Sequence, residues 1–173
     1  MIRKTGIAVL LMLGSIGVAV PLVTVSAGTV CTMTGTNGDD DLRGTPGPDV
    51  ICGKGGNDFI RGNGGDDTLL GGRGRDTLIA GKGKDTVEGG KGHDILDGNK
   101  GDDTLIGNEG SDILRGFEGG DLIRGGKGRD CLYTFDGIEG NDVGRGGPGY
   151  DYYDQDDGDD VTGVEEAASC AGD

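Results

Sequence analysis

The stretch that decides the fold is GGKGHDILD at residues 89–97, because the same nine-residue pattern recurs on both sides of it. Starting at Gly35, the chain divides into eleven consecutive nonapeptides that end at Tyr133 without an insertion. The first position is Gly in every unit except at Ala80, the fourth is always Gly, and the sixth is always Asp. The eighth position is always aliphatic. A fixed period of this length predicts a solenoid in which each repeat is one structural unit.

The composition narrows the class of protein. The chain has 173 residues, of which 41 are Gly, 31 are acidic and 16 are basic, so its formal charge is −15. This length allows one domain. So much Gly argues against a conventional core of packed helices, since Gly disfavours regular structure unless the fold requires it. The acidic balance argues against a nucleic-acid partner, whose phosphates would be repelled, and favours cations.

The repeated residue types suit calcium. Gly at the first and fourth positions permits a turn that aims backbone carbonyls at a cation. Asp at the sixth position adds a hard carboxylate, and Ca²⁺ takes six to eight oxygens at about 2.3–2.6 Å. Zinc fits poorly because the sequence lacks clustered His or paired Cys ligands, and magnesium prefers tight octahedra with retained waters. A short strand around the eighth position would turn the aliphatic side chain inward.

These residues resemble the RTX, or haemolysin-type, calcium-binding nonapeptide repeat. The resemblance is tight over residues 35–133 and continues loosely through 137–145 and 146–154, after an insertion at 134–136. It implies an all-β fold, a right-handed parallel β-roll or β-solenoid with two repeats per coil. Each repeat of that family has a six-residue turn and a three-residue strand.

In a β-roll each repeat lies above the repeat two units earlier, so the sixth-position carboxylates should form two columns that bind calcium. We expect one column to contain Asp40, Asp58, Asp76, Asp94, Asp112 and Asp130, and the other Asp49, Asp67, Asp85, Asp103 and Asp121. The fourth-position glycines should supply turn backbone: Gly38, Gly47, Gly56, Gly65, Gly74, Gly83, Gly92, Gly101, Gly110, Gly119 and Gly128. The gaps between stacked turns predict about nine Ca²⁺ ions.

We also expect folding to depend on calcium. Each nonapeptide buries only one aliphatic side chain. The hydrophobic free energy gained is therefore small compared with the conformational entropy that a glycine-rich chain loses on folding. Columns of unneutralised Asp at strand spacing would repel one another. The calcium-free chain should therefore be largely disordered and should fold when Ca²⁺ binds.

Four cysteines in an exported chain predict two disulfides. Cys52 and Cys131 occupy positions that flank an inward-pointing residue, so both should face outward. We therefore pair Cys31 with Cys52 and Cys131 with Cys170. Each bond would fasten a cap onto one end of the roll, where solenoids need to cover open strand edges.

The N-terminus predicts export. Arg3 and Lys4 precede an apolar stretch, and small residues at 25–27 suit cleavage before Gly28, so residues 1–27 read as a secretory signal peptide. An uncleaved membrane anchor is the alternative, because about 20 apolar residues can span a bilayer; a lipoprotein attached through Cys31 is a further one. After cleavage we expect no membrane span. The remaining units are an N-terminal cap at 28–34, the roll at 35–133, degenerate repeats at 134–154 and an acidic C-terminal cap at 155–173.

The predicted function is that of a secreted, calcium-binding, non-enzymatic module with a structural, adhesive or interaction role. No hydrolase, metalloprotease, phosphate-loop or dinucleotide motif is found in the sequence. The partner would be an unidentified protein or cell-surface component. The alternatives are a scaffold or accessory of an extracellular enzyme or toxin, and a calcium buffer without a partner.

Overall fold

A computed structural model describes residues 29–136, 141–154 and 159–164. These residues form strands and turns, with no helix and therefore no helix able to cross a membrane within those ranges. The expected signal peptide and most of the expected acidic cap lie outside the described residues. The strands are β1 (Met33–Thr34), β2 (Asp41–Arg43), β3 (Val50–Gly55), β4 (Phe59–Arg61), β5 (Thr68–Arg73), β6 (Thr77–Lys82), β7 (Thr86–Lys91), β8 (Ile95–Lys100), β9 (Thr104–Gly110), β10 (Ile113–Glu118), β11 (Leu122–Gly128), β12 (Cys131–Tyr133), β13 (Val143–Arg145), β14 (Tyr152–Asp154) and β15 (Asp160–Thr162).

Two parallel sheets face each other. The first sheet has eight strands in the order β1-β3-β5-β7-β9-β11-β13-β15, and the second has seven in the order β14-β12-β10-β8-β6-β4-β2. Consecutive strands therefore alternate between the sheets, and two nonapeptides complete one coil. Paired residues within the roll are 18 apart, as in Leu69 beside Val87. The all-β parallel β-solenoid expected from the sequence is confirmed, with about seven coils.

The core lies between the two sheets and consists of the eighth-position side chains. Strand alternation sends these side chains inward and their neighbours at the seventh and ninth positions outward. Leu42, on the edge strand β2, is only partly buried. The others have no solvent exposure: Ile51, Ile60, Leu69, Leu78, Val87, Leu96, Leu105, Leu114, Ile123 and Leu132.

Eight strands, β3 and β5 to β11, have six or seven residues and are longer than the three residues that the resemblance implied, whereas the other strands have two or three. β6 covers the last three positions of one repeat and the first three of the next, and Gly81 and Lys82 pair with Asn99 and Lys100 of β8. The extension depends on a left-handed backbone at the second position, where φ is 127° at Gly81 and 77° at Asn99. This conformation bends the chain and leaves the third position able to pair. Asn adopts it more readily than most residues, which explains why Asn can replace Gly there.

One end of the roll is fastened as the sequence predicted. Cys31 and Cys52 form a disulfide with a Cα–Cα distance of 6.0 Å, and β1 pairs in parallel with β3. Cys52 lies on the outward side of its strand but is only 8% exposed, since the N-terminal segment is bonded to it. Cys131 is also disulfide-bonded. Its expected partner, Cys170, lies outside the described residues.

Candidate metal centre

The sixth-position carboxylates form a ladder along each edge of the roll. In each column, one carboxylate oxygen, Oδ1, accepts a hydrogen bond from the backbone N–H of the Asp in the preceding coil, as from Asp76 N–H to Asp94 Oδ1 at 2.8 Å. Twelve such bonds of 2.7–3.2 Å link the described turns. The two columns expected from the sequence are therefore assembled, with their carboxylates stacked coil upon coil.

The second carboxylate oxygen, Oδ2, is left without a hydrogen bond along most of each column. These Oδ2 atoms are buried and have no hydrogen-bond partner among the described residues, and their side chains are at most 2% exposed. They belong to Asp58, Asp67, Asp76, Asp85, Asp94, Asp103, Asp112, Asp121, Asp130 and Asp142. A buried polar atom without a partner is costly, and a buried charge more so unless it is paired or coordinates a metal. The repeated pattern therefore fits a row of cation sites.

The electrostatics agree with this picture. Burial, with a smaller contribution from the charges of neighbouring carboxylates, raises the pKa of Asp76 to about 6 and that of Asp103 to about 7. Burial likewise raises the pKa of Asp112 to about 6, and that of Asp130 to about 7. A divalent cation would reverse this trend, because it stabilises the ionised form of each carboxylate.

In every nonapeptide from Gly53 onward, except the one that begins at Ala80, the first-position glycine keeps open the space beside the unpartnered oxygen. A Cβ atom at Gly71 would lie 2.6 Å from Asp76 Oδ2 and 2.6 Å from the carbonyl oxygen of Gly89. At Gly98 the corresponding distances are 2.6 Å to Asp103 Oδ2 and 2.9 Å to the Gly116 carbonyl oxygen. Two oxygens of the kind that Ca²⁺ prefers thus flank a space that only glycine leaves free.

The fourth-position glycine has a different role. At Gly92, where φ is 142°, a Cβ atom would collide with the carbonyl oxygen of Gly74 in the preceding coil. Of the predicted turn glycines, those from Gly56 to Gly128 all have positive φ. Gly38 and Gly47 do not, and the space around them is open. The fourth position therefore allows close stacking of the turns from the third repeat onward.

The first two repeats differ from the rest in how they satisfy the carboxylate. Asp40 Oδ2 accepts hydrogen bonds from the backbone N–H and the hydroxyl of Thr36, at 2.6 and 3.0 Å. Thr45 makes the same pair of bonds to Asp49 Oδ2, at 2.6 and 2.9 Å. These bonds lower the pKa of Asp49, the backbone N–H of Thr45 contributing most. Of the eleven predicted carboxylates, these two already have donors on the oxygen that is unpartnered elsewhere.

Sequence reasoning missed a second ladder, at the fifth position. Asn57 Oδ1 accepts from the backbone N–H of Arg75 at 2.8 Å, and Asp66 Oδ1 does so from Lys84 at 2.9 Å. His93, at the fifth position of its repeat, accepts the N–H of Ser111 through Nδ1 at 2.9 Å. The available signal was the recurrence of side chains with an acceptor atom at the fifth position.

The predicted columns also stopped too early. Asp142 and Asp151 occupy the sixth position of the two degenerate repeats, and their Oδ1 atoms accept from the N–H groups of Asp121 and Asp130. Asp159 extends one column further, with its Oδ1 3.2 Å from the N–H of Asp142. Carrying the nine-residue register across the insertion at 134–136 would have identified the first two. Each edge then has seven described turns, which leaves six gaps.

Each gap offers few side chains. Among the described residues, no group of three or more His, Cys, Asp or Glu side chains is arranged to hold a metal. A cation in these gaps would therefore depend on backbone carbonyls in addition to the carboxylate columns. Ca²⁺ accepts such mixed oxygen sets, including backbone carbonyls.

Comparison with protein families agrees with this geometry. The family model described as the RTX calcium-binding nonapeptide repeat matches five overlapping stretches, at residues 34–69, 44–78, 61–96, 70–105 and 97–132. The chain belongs to this family. The RTX assignment makes it a calcium-binding repeat protein, and the match spans the region in which the carboxylates stack. RTX repeat proteins are typically extracellular, and the Cys31–Cys52 disulfide fits such a setting. No curated protein matches the chain.

Proposed function

We propose that this RTX protein binds a series of Ca²⁺ ions between successive turns and folds as they bind. The observation that carries the proposal is the repeated buried Oδ2 without a partner, which faces the open space beside a first-position glycine. In an occupied site the carboxylates would neutralise the cation and turn carbonyls would complete its oxygen shell. The fourth-position glycines would let the turns approach closely enough to share it.

The number of sites follows from the columns. The predicted repeats alone provide about nine gaps, and the column extensions through Asp142, Asp151 and Asp159 add further ones. Asp40 and Asp49 stand at the beginning of the columns, and we assign them a weaker part because Thr36 and Thr45 already donate to their Oδ2 atoms.

Coupled folding follows from the same charges. Without cations, each interior carboxylate is buried beside others of equal charge, which is electrostatically unfavourable. Only one layer of buried aliphatic side chains opposes this unfavourable free energy. Bound Ca²⁺ would remove the repulsion and link each coil to the next. Extracellular calcium modules bind at about 10⁻⁴–10⁻³ M, so export would itself trigger folding.

Calorimetry and circular dichroism of the same preparation test this proposal. With excess chelator we expect the β-sheet signal to be largely lost, and Ca²⁺ should restore it cooperatively with a stoichiometry near the number of gaps. Mg²⁺ at equal concentration is the control and should restore little. An unchanged β spectrum in chelator would disprove coupled folding, and the absence of calcium-dependent heat would disprove calcium binding itself.

We further propose that the protein is secreted and acts as a non-enzymatic structural or adhesive module. Support comes from the predicted signal peptide, from the Cys31–Cys52 disulfide and from a roll whose repeated turns stack coil upon coil. Mass spectrometry of the exported protein should find an N-terminus at Gly28. Calcium-dependent retention on washed cells would support the adhesive role, whereas hydrolysis in a broad substrate screen would favour an enzyme accessory.

A further inference from the structure

The outer face of the first sheet is formed by the side chains at the seventh and ninth repeat positions. In its middle strands β5, β7, β9 and β11 these side chains are partly exposed, whereas the eighth-position side chains between them are buried. Most of them are aliphatic or Thr: Thr68, Leu70, Thr86, Thr104, Ile106 and Leu122. Parallel sheets usually have both faces covered, and depletion of charge is typical of the centre of a protein–protein interface. This face is therefore a candidate contact surface.

Two charged side chains on this face lack an ionic partner. Glu88 and Arg124 lie in the ninth-position column, one on each side of Ile106 in the register of β7, β9 and β11. Both are partly buried, and neither side chain forms an ion pair or a hydrogen bond with another described residue. The Nε atom of Arg124 is buried without a hydrogen-bond partner. Burying charged groups is costly unless they are paired, so both side chains would gain from a partner of opposite charge.

The second sheet shows how the same repeat position can pair its charges within one chain. Asp97 of β8 and Arg115 of β10 lie side by side in the register, and their side chains form an ion pair of 3.1 Å. On the first sheet, Ile106 separates Glu88 from Arg124, so these two residues lie two strand spacings apart, about 10 Å. The charges of the first sheet therefore do not neutralise each other within one chain.

A second copy of this chain offers the complementary arrangement. When two first-sheet faces pack together about a twofold axis that runs along β9 at the level of Ile106, the two rolls are antiparallel and their ninth-position columns face each other. Ile106 then meets Ile106 of the partner subunit, and Glu88 lies opposite Arg124 of the partner subunit. Twofold symmetry makes this charge pair twice, because every contact in such an interface is reciprocal. The equal spacing of the two charges about Ile106 makes the face self-complementary.

We propose that the outer face of the first sheet is the interface of a homodimer, in which Glu88 of each copy pairs with Arg124 of the partner subunit across a contact centred on Ile106. The seventh-position column fits the same arrangement, because Thr104 would face Thr104 of the partner subunit and Thr86 would face Leu122 of the partner subunit. None of these residues belongs to the carboxylate columns at the edges of the roll. The interface therefore uses residues distinct from the proposed calcium ligands.

Analytical ultracentrifugation of the exported chain in saturating Ca²⁺ tests this proposal. The natural chain should dimerise reversibly as its concentration rises. Glu88→Arg and Arg124→Glu should each weaken dimerisation about 100-fold or more, since each places two like-charge contacts in the interface. Arg115→Glu is the matched control, because it makes the same charge change at the ninth position of the second sheet, and it should leave dimerisation unchanged. Circular dichroism verifies that each variant keeps the folded roll.

Mixing the two single variants distinguishes a contact between copies from an effect within one chain. In an equimolar mixture, the Glu88→Arg chain has two positive charges at the paired positions and the Arg124→Glu chain has two negative ones. Every charge contact between unlike copies is then complementary, so a heterodimer should form with an affinity within about tenfold of that of the natural homodimer. The double variant, with both charges exchanged, should form homodimers again. Damage within one chain would not be repaired by adding the other.

Each result either supports or overturns the dimer. A natural chain that stays monomeric up to its highest soluble concentration would overturn the proposal and leave this face to a different partner. A dimer that survives both charge reversals would also overturn it, because its interface would lie elsewhere. Single variants that do not associate when mixed would disprove the pairing of Glu88 with Arg124. A natural chain that dimerises as expected but gives no calcium-dependent heat would contradict the proposed function alone.

Discussion

The first two turns of the roll and the turns that follow them share the same Gly and Asp positions but differ in chemistry. In the first two, Thr36 and Thr45 donate to the carboxylate oxygen that is unpartnered further along, and Gly38 and Gly47 lie in open space without positive φ. From the third repeat onward, the second-position N–H can bond to the next coil, as Asn63 does to Ala80.

The difference teaches that a conserved pattern within the chain does not imply equal sites. A turn whose own residues donate hydrogen bonds to the Oδ2 carboxylate oxygen can be stable without a cation. A turn whose donors bond to the next coil leaves one carboxylate oxygen without a partner. The second residue of the repeat, Thr on one side and chiefly Gly or Asn on the other, marks the change. We therefore expect the first two turns to be the part of the roll least dependent on calcium.

The largest effect is expected from a methyl group at the fourth position. Gly92→Ala should destabilise the calcium-loaded roll by about 2–5 kcal/mol, because Cβ collides with the Gly74 carbonyl oxygen and the positive φ is strained. Gly38→Ala is the matched control and should change stability by less than about 0.5 kcal/mol. Chemical denaturation in saturating Ca²⁺ measures both, and equal losses would show that the two classes of turn do not differ.

The next effect concerns the carboxylate itself. Asp76→Asn should weaken calcium binding at its adjoining gaps roughly 10- to 100-fold, since a charged ligand is lost while the Oδ1 acceptor can be kept. Asp40→Asn should weaken binding only a few-fold, because Thr36 already satisfies its Oδ2. Asp41→Asn, at an exposed position paired with Arg43, controls for charge alone. Calorimetric titration would contradict the comparison if Asp40 and Asp76 proved equally important.

Lowering the pH should stabilise the calcium-free roll but weaken calcium binding by the loaded roll. Asp67, Asp76 and Asp103 have pKa values of about 6, 6 and 7 in the roll, above the ordinary 3.8. The roll therefore binds more protons than the unfolded chain between about pH 4 and 7, and the stability of the calcium-free roll should rise as pH falls through this range. With calcium present, acid should instead weaken binding, because protons compete for the carboxylates.

Circular dichroism between pH 8 and pH 4.5, with chelator and with Ca²⁺, measures these opposite changes in β-sheet content. The first two turns should behave differently, since the pKa of Asp49 is lowered and its contribution is lost only at lower pH. A calcium-free chain that loses structure on acidification within this range would contradict the assignment of the buried carboxylates as the charged cause of disorder.

The smallest effect concerns the one first-position residue that is not glycine. Ala80 carries a Cβ in the place that glycine leaves open elsewhere, and it precedes Asp85 in its turn. Ala80→Gly should strengthen calcium binding at that gap several-fold, at a cost of about 0.4–1 kcal/mol to the calcium-free chain. Gly98→Ala is the reciprocal variant and should weaken calcium binding at the gap beside Asp103. Weaker binding by Ala80→Gly would show that the open space has no part in holding the ion.

Much of the architecture could be predicted from the sequence. The period, the alternation of sheets and the inward aliphatic column follow from a nonapeptide held without insertion over 99 residues, and the pairing of Cys31 with Cys52 follows from their positions. Strand length was underestimated, because the left-handed φ at Asn99 is visible only once the chain is folded. The role of Thr36 could not be predicted for the same reason, because its hydrogen bonds to Asp40 Oδ2 form only in the folded turn.

The sequence by itself determined which atoms are available: a carboxylate every nine residues, glycine on either side of it, and one aliphatic group to bury. Only the tertiary structure decided which of those atoms keep a partner. The neighbours of each turn lie about 18 residues away and meet it through closure of the coil. Donors such as Thr45 N–H stay local in the first coil, whereas Asn63 N–H turns to the next one, and Asp142 joins a column across an insertion. Hydrogen-bond satisfaction is a property of the stack, which no single repeat encodes.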